Sequence, residues 1–307
     1  MLEPLRGIGS TMTHSKGVPS VRHAVFTIVQ DEPFFFPLWH KYYRGHYSPN
    51  NMYVLYHPLP EEGDIGPEWL RVPVFKDTNL IRVYHDASFD HTWLRERVQQ
   101  FAEFLLGSYD TVMFTEVDEI VTLHPGRVPK RDLMRWLDNW YLKGAPAARC
   151  NGYEVVHRID HEPALDPAEV LPLGGHVLER RGWYYWSWLY SKVLIWRIPP
   201  HWDNGFHQPF SRVEGTTDQF MPVDVAADPE LLLLHLHKVD WRIAVARWKR
   251  TSARNWNEAD RYHPTAGAQN RFHDEEQLRE WWYRNIDNPP ARAADLAPMP
   301  REFKDIV

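Results

Sequence analysis

The first half of the chain alternates between two periodicities, and this alternation limits the fold more than any other feature. "VRHAVFTIV" (21–29) is rich in β-branched and aromatic residues and reads as a strand. Pro33 suits the first turn of a following helix, in which Phe35, Leu38, Trp39 and Tyr42 share one side, Pro37 is a source of distortion and Gly45 marks the end. "NMYVLYH" (51–57) and "IRVYH" (81–85) are further strands. Asp90 or Thr92 caps a helix whose Leu94, Val98, Phe101 and Leu105 recur four, three and four apart before Gly107. A strand at 111–115 follows. Pro129 then opens a helix through Leu133, Trp136, Leu137 and Trp140, closed by Gly144. Strands alternating with helices predict an α/β fold: a mostly parallel, Rossmann-like central sheet with flanking helices. Ligands of such sheets bind at the carboxyl ends of the strands.

The second half is less regular. It holds the aromatic run "RRGWYYWSWLYSKVLIW" (180–196), a loop over 198–220, the strand "LLLLHLH" (231–237), a basic helix from Trp241 to about Trp256 and a helix over 274–286. No repeat and no clear linker divides it. The domain reading is a flexible leader over 1–20, one domain over 21–240 and a C-terminal helical extension over 241–307, packed on that domain. The net charge of -6 leaves no basic footprint for nucleic acid. The leader has no apolar core of the signal-peptide kind, and no apolar run is long enough to span a membrane. The single cysteine, Cys150, excludes an intramolecular disulfide and fits a reducing, cytoplasmic compartment. Phosphate-binding loops, dinucleotide fingerprints and nucleophile elbows are missing from the sequence.

The strand at 111–115 runs straight into "TEVDEIV", with Glu116, Asp118 and Glu119 within four positions. Carboxylates repel one another and resist burial, so such a cluster needs water, a base or a cation. On an extended chain Glu116 and Asp118 point one way and Glu119 another. Two hard oxygen donors on one side suit Mg²⁺ or Mn²⁺ with phosphate oxygens, and a solvated loop with Glu119 paired to an arginine is the alternative. By the same alternation His235 and His237 share a face, either as metal ligands, which favours Mn²⁺, or as a hydrogen-bonded core pair. His207, in "WDNGFHQP", is a third candidate ligand. Lys192, alone on an aromatic strand, either neutralises a phosphate or carries its head to water. Fifteen tryptophans suit a core or a carbohydrate-binding surface. Of the run 183–190, Trp186 and Trp188 are expected on one side and Tyr185 on the other.

Four stretches together resemble the GT-A glycosyltransferases, in particular their family 2-like and family 92-like (domain of unknown function 23) group. "FTIVQDEPFFFPLWHKYYRG" is similar to the opening strand, acidic turn and helix of that group. "YDTVMFTEVDEIV" resembles its aspartate-x-aspartate segment. "YSKVLIW" with the later "GFH" resembles its lysine strand and histidine, and "LLLLHLHKVDW" its terminal histidine strand. The likeness runs over roughly 21–250 and implies a GT-A-like fold, a nucleotide-sugar donor (UDP favoured, GDP possible) and a divalent cation bridging its phosphates. It implies donor contacts from Gln30, Asp31, Glu32, Glu116 and Lys192, and metal contacts from Asp118 and from His235 rather than His237, because Asp240 then caps the next helix. This chain departs from the pattern with Glu at 116, one methylene longer than aspartate, and with Asp at 31. An inverting reaction needs a carboxylate base, and Asp203, Glu214 and Asp218 lie in the right part of the chain, Asp203 first. The acceptor is a saccharide or small-molecule hydroxyl, with Trp183, Trp186 and Trp188 offering rings to stack on. Two other functions fit the same residues: a metal hydrolase built on His235 and His237 with Glu116 and Asp118, and a carbohydrate-binding protein without catalysis.

Overall fold

The computed structural model describes residues 21–58, 77–84, 89–128, 132–166, 176–212, 220–222, 224–261, 268–287 and 294–307. The leader, Pro129, Glu214 and Asp218 lie outside the described residues.

Strands β1 (His23–Val29), β2 (Met52–Tyr56), β3 (Asn79–Arg82) and β4 (Thr111–Phe114) form a parallel block in the order β3-β2-β1-β4. Both faces of the block are covered. On β1, Val25 joins one core with Leu38, Trp39 and Tyr43 of helix α1 (Phe35–Arg44). Its neighbour Phe26 joins the opposite core with Val98, Ala102 and Leu105 of α2 (His91–Leu106). Pro37 sits in the first turn of α1 without interrupting it, because no intrahelical N–H is needed there. Asp90 caps α2, its carboxylate accepting from the Trp93 amide at 2.9 Å.

Past β4 the sheet becomes mixed. The chain adds β5 (Glu119–Leu123), α3 (Leu133–Leu142), β6 (Ala147–Val156), β7 (Trp183–Trp186) and β8 (Val193–Trp196). Then come β9 (His201–Trp202), β10 (Pro209–Arg212), β11 (Phe220–Pro222) and β12 (Ala227–His235). Helices α4 (Trp241–Ser252), α5 (Glu258–Arg261) and α6 (Glu275–Asp287) follow, and β13 (Ala297–Pro298) lies near the end. β8 pairs antiparallel with both β4 and β6, while β12 lies parallel along the other edge of β6 and antiparallel to β5. β7 pairs antiparallel with the end of β6, and β13 with β7. In this ten-stranded sheet β5, β7 and β8 run against the other seven strands. β9, β10 and β11 form a separate antiparallel sheet.

Several boundaries differ from the periodicity. The run 180–196 is not one strand: a 3-10 turn at Trp188–Tyr190 interrupts it, tied by the Ser191 hydroxyl to the Ser187 carbonyl at 3.1 Å. β12 ends at His235, so His237 lies beyond the strand. α4 ends at Ser252, and Trp256 packs on Phe89 and His91 instead of extending the helix. Trp39, Trp136, Trp140, Trp196, Trp202, Trp256 and Trp282 are core residues, as the plain hydrophobic reading of tryptophan expects. No described helix is long and apolar enough to cross a membrane.

Candidate active site

Three strand ends meet. β1 ends in Gln30, Asp31 and Glu32, and β4 ends in the acidic segment. The two are neighbours because β1 and β4 pair in register, Phe26 opposite Phe114, and the Thr115 amide continues the ladder to the Phe26 carbonyl at 3.2 Å. The third end is His235, opposite Glu119 on β5, and the next amide, Leu236 N–H, donates to the Asp118 carbonyl at 2.8 Å. Asp31 has φ 46°, the left-handed region that Asp tolerates better than most residues and that collects at functional turns. Its carboxylate lies 2.9 Å from Arg250 Nε.

The acidic segment is a tight turn, not an extended chain: the Glu119 amide donates to the Glu116 carbonyl at 3.0 Å. Strand alternation therefore does not set these side chains, although Glu116 and Asp118 both face the cleft and Glu119 does not. Glu119 is fully buried and turned inward, where Oε2 accepts the Glu116 amide at 3.0 Å and Oε1 lies 2.6 Å from Lys192 Nζ. Lys192 also donates to Glu116 Oε2 at 2.7 Å. Burial works against the ammonium, but the two glutamates overcome it and hold Lys192 charged. Its head is therefore neither in water nor free.

Asp118 points elsewhere. Its Oδ2 accepts from Arg247 Nη1, with His237 Nδ1 at 3.5 Å and His235 Nε2 at 4.0 Å. Burial pushes this carboxyl up, but Arg247 and the histidines overcome it and hold it well below the usual range. Arg247 also donates from Nε to Glu32 Oε1 at 2.7 Å. Burial leads for Glu32 and raises its pKa despite that pair.

His235 lies with Nδ1 3.1 Å from both oxygens of the buried Glu154. A carboxylate accepts, so Nδ1 carries a proton, while Nε2 faces Asp118. Burial works to lower the His235 pKa, but Glu154 and then Asp118 outweigh it and raise it, so an ion bound at Nε2 would displace a proton. Burial would raise the Glu154 pKa, but His235 and Lys238 outweigh it and bring it down to about 2. Tyr190 stacks on the His235 ring at 4.2 Å, seated by the turn at 188–190. His237 lies parallel to His235 at 5.8 Å, but its Nδ1 accepts from Arg247 at 3.1 Å. His207 turns Nδ1 to the Leu189 carbonyl at 2.7 Å, and its amide and that of Gln208 both donate to Asp203 Oδ1 at 2.8 Å. Gly205 (φ 90°) and Phe206 (φ 61°) shape this turn. Burial raises the Asp203 pKa and, with Lys192 adding to it, lowers that of His207 to about 4.

One cleft of about 1140 Å³ joins these groups. Gln30, Glu32, Glu116, Asp118 and Lys192 line it, with Asp203, His207, His235 and His237 across from them. Trp183, Trp186 and Trp188 are not among its lining residues. Trp183 lies under Arg158, whose guanidinium is 4.6 Å from its ring, and Trp188 is exposed under Arg149 at 4.8 Å, next to Leu189 on the cleft wall. Trp186 belongs to β7 and Trp188 to the turn after it, so strand alternation does not relate them.

Sequence reasoning did not place Glu154 or Tyr190 in the site, and it gave the arginines of 241–256 acidic partners or donor phosphates without naming which; Arg247 pairs with Asp118 and Glu32, and Arg250 with Asp31. For Arg247 the signal was its spacing: Arg247 and Arg250 lie three apart and so share one face of α4. For Glu154 the signal was a lone carboxylate in the mostly buried strand β6. Tyr190 had none.

Among the described residues no three His, Cys, Asp or Glu side chains converge to hold a metal ion. Asp118 Oδ2 and His235 Nε2, 4.0 Å apart, are the two side-chain atoms that would hold such an ion. Two protein donors suit Mg²⁺ or Mn²⁺, which keep waters and take substrate phosphate oxygens. Arg247 occupies Asp118 Oδ2, the oxygen such an ion would need.

Fold and cleft thus define an α/β protein with an acidic, histidine-flanked site at the carboxyl ends of its parallel strands. No family model matches the sequence, and no curated protein matches it. Among solved structures, S. aureus TarS residues 1–349 is similar at 8% identity and a TM-score of 0.30, over 87% of this chain and 72% of that one. A second structure of S. aureus TarS gives 8% and 0.30 over 88% of this chain and 44% of that one. A likeness of this size fixes neither family nor activity.

Proposed function

We propose that this chain is a metal-dependent glycosyltransferase that moves a sugar from a nucleotide-sugar donor, a UDP-sugar before a GDP-sugar, to a hydroxyl acceptor. The observation that carries this reading is the acidic turn 116–119, set at the end of β4, beside the end of β1 and across from His235, in a cleft large enough for a nucleotide sugar. Asp118 and His235 would hold Mn²⁺ or Mg²⁺, with Glu116 beside them; the ion would offset charge on the departing diphosphate. Gln30 and Glu32 lie where the nucleoside of such a donor would reach the end of β1, with Asp31 shaping that turn. Lys192, between Glu116 and Glu119, offsets part of their negative charge at the cleft floor.

Asp203 is the base in this reading. Its Oδ1 takes two amide hydrogen bonds, and Oδ2 has no protein partner among the described residues. Burial raises its pKa and so makes it the stronger proton acceptor for a hydroxyl. The exposed face of Trp188, beside Leu189, offers an acceptor sugar a ring at the rim.

Thermal shift with UDP and GDP, with Mn²⁺, Mg²⁺ or EDTA, tests the reading, because a ligand that binds only the folded state raises its melting temperature. Stabilisation by UDP or GDP that requires the cation is expected, followed by acceptor-dependent release of the nucleotide from a UDP-sugar. Equal stabilisation in EDTA would remove the metal from the reading. Turnover of an ester or amide by water alone would point to a hydrolase, and glycan binding without nucleotide or cation to a binding protein.

A further inference from the structure

Arg247 stands where a cation would bind. Its helix is fixed at the start: Asp240 caps α4, accepting from the Arg242 and Ile243 amides at 2.8 and 3.1 Å, and is itself held by buried Arg181 at 2.7 Å. Ile243, Ala244 and Val245 are buried against the domain. The backbone of α4 is thus anchored, and the freedom left lies in the Arg247 side chain. That side chain crosses the Phe35 ring at 5.0 Å and ends in a fork between two carboxylates. Nη1 serves Asp118 Oδ2 and Nε serves Glu32 Oε1. The second oxygen of Glu32, Oε2, is buried and has no hydrogen-bond partner. A guanidinium presents parallel N–H pairs that match a carboxylate two to two, so Glu32 holds an unfilled place for the same side chain.

A divalent ion on Asp118 and a guanidinium on the same oxygen are like charges at contact in a part-buried cleft, where repulsion is poorly screened. We propose that Arg247 is the resident counter-ion of the ligand-free cleft: it competes with the divalent ion for Asp118, and on ion binding it moves onto Glu32 as a bidentate pair. The inference rests on the reading of Asp118 as an ion ligand. It makes Glu32 a positioning residue for Arg247. It also makes the bare protein a weaker binder of cations than its carboxylates alone imply.

Titration of the full chain with Mn²⁺ alone, following free Mn²⁺ by electron paramagnetic resonance, reads the competition without turnover. Arg247→Met is expected to tighten Mn²⁺ binding about tenfold or more. Arg250→Met removes an equal charge from the next turn, paired with Asp31 and not with Asp118, and is expected to change it less than about twofold. Arg247→Lys, which keeps the charge and loses the fork, should fall between Arg247→Met and the wild type. Glu32→Gln should weaken Mn²⁺ binding severalfold in the wild type and have little effect in the Arg247→Met background, a double-mutant cycle that isolates their coupling. If Arg247→Met does not fold, Arg247→Lys replaces it in the cycle with Glu32→Gln. Equal Mn²⁺ affinity in the wild type and the Arg247 variants, or an additive cycle, overturns the competition and leaves the transferase reading standing. No Mn²⁺ binding by any form overturns both the competition and the metal site.

Discussion

Asp118 is 3% exposed and ionised, because Arg247 and two histidines surround a carboxylate that burial alone would neutralise. Asp118→Asn keeps its shape and removes its charge. In the proposed reaction, transfer should fall by at least about a hundredfold, the scale of losing a key electrostatic stabiliser. The circular dichroism of the folded protein should be unchanged, since Arg247 retains Glu32. A rate assay with saturating Mn²⁺ checks this, and near-normal activity would remove Asp118 from the site. At this scale the sequence was legible where a residue type sat against its surroundings. Glu116 and Asp118 stood out as charge at the end of an apolar strand, and the histidines as polar groups ending a leucine run. The direction each side chain takes was not legible. Glu119 turns inward to Lys192, 73 positions later and just before β8, and no local period records that meeting.

Among the elements, the turn Trp188–Tyr190 seats the ring that stacks on His235, and it depends on one glycine. It packs directly on β6 at Gly152, where a Cβ would overlap the Tyr190 carbonyl. The Gly152 amide also donates to the Ser191 hydroxyl at 3.0 Å. Gly152→Ala should push this turn away, unstack Tyr190 from His235 and shift the Leu189 carbonyl from His207. Overpacking of this kind costs about 1–3 kcal/mol. A lowered denaturant midpoint together with weaker Mn²⁺ or nucleotide binding is the expected result, and an unchanged midpoint would mean that the turn is not seated on β6. Periodicity found the elements of the first half because parallel strands and their crossover helices carry long, regular apolar patterns. It misread the aromatic run and the end of β12 because alternation persists through a turn whenever the turn residues are themselves apolar or aromatic.

For the molecule as a whole, acid is the condition that separates folded from unfolded most simply at His40. This residue is 2% exposed, with Nε2 2.8 Å from the Thr78 hydroxyl. Burial, followed by Arg44, lowers its pKa from 6.5 to about 4. Between those values the unfolded chain binds a proton that the folded chain refuses. His40 therefore costs no stability above pH 6.5, and its penalty grows as the pH falls from there to about 4, reaching up to about 3 kcal/mol. Urea unfolding between pH 7 and 4 should show this loss, and His40→Gln should reduce it, leaving the share that His207 adds by the same lowering. The alternation of strand and helix made the parallel block legible. The antiparallel additions were not, since β5 finds β12 only after more than a hundred intervening residues. That pairing also governs when the site exists during folding. The acidic turn and the histidine strand meet through one ladder, Glu119 opposite His235, whose closure requires a large loop to be ordered first. The two sides of the cleft can therefore meet only after the chain as far as His235 has been made. A chain still emerging from synthesis holds its carboxylates well before it has anything to place opposite them.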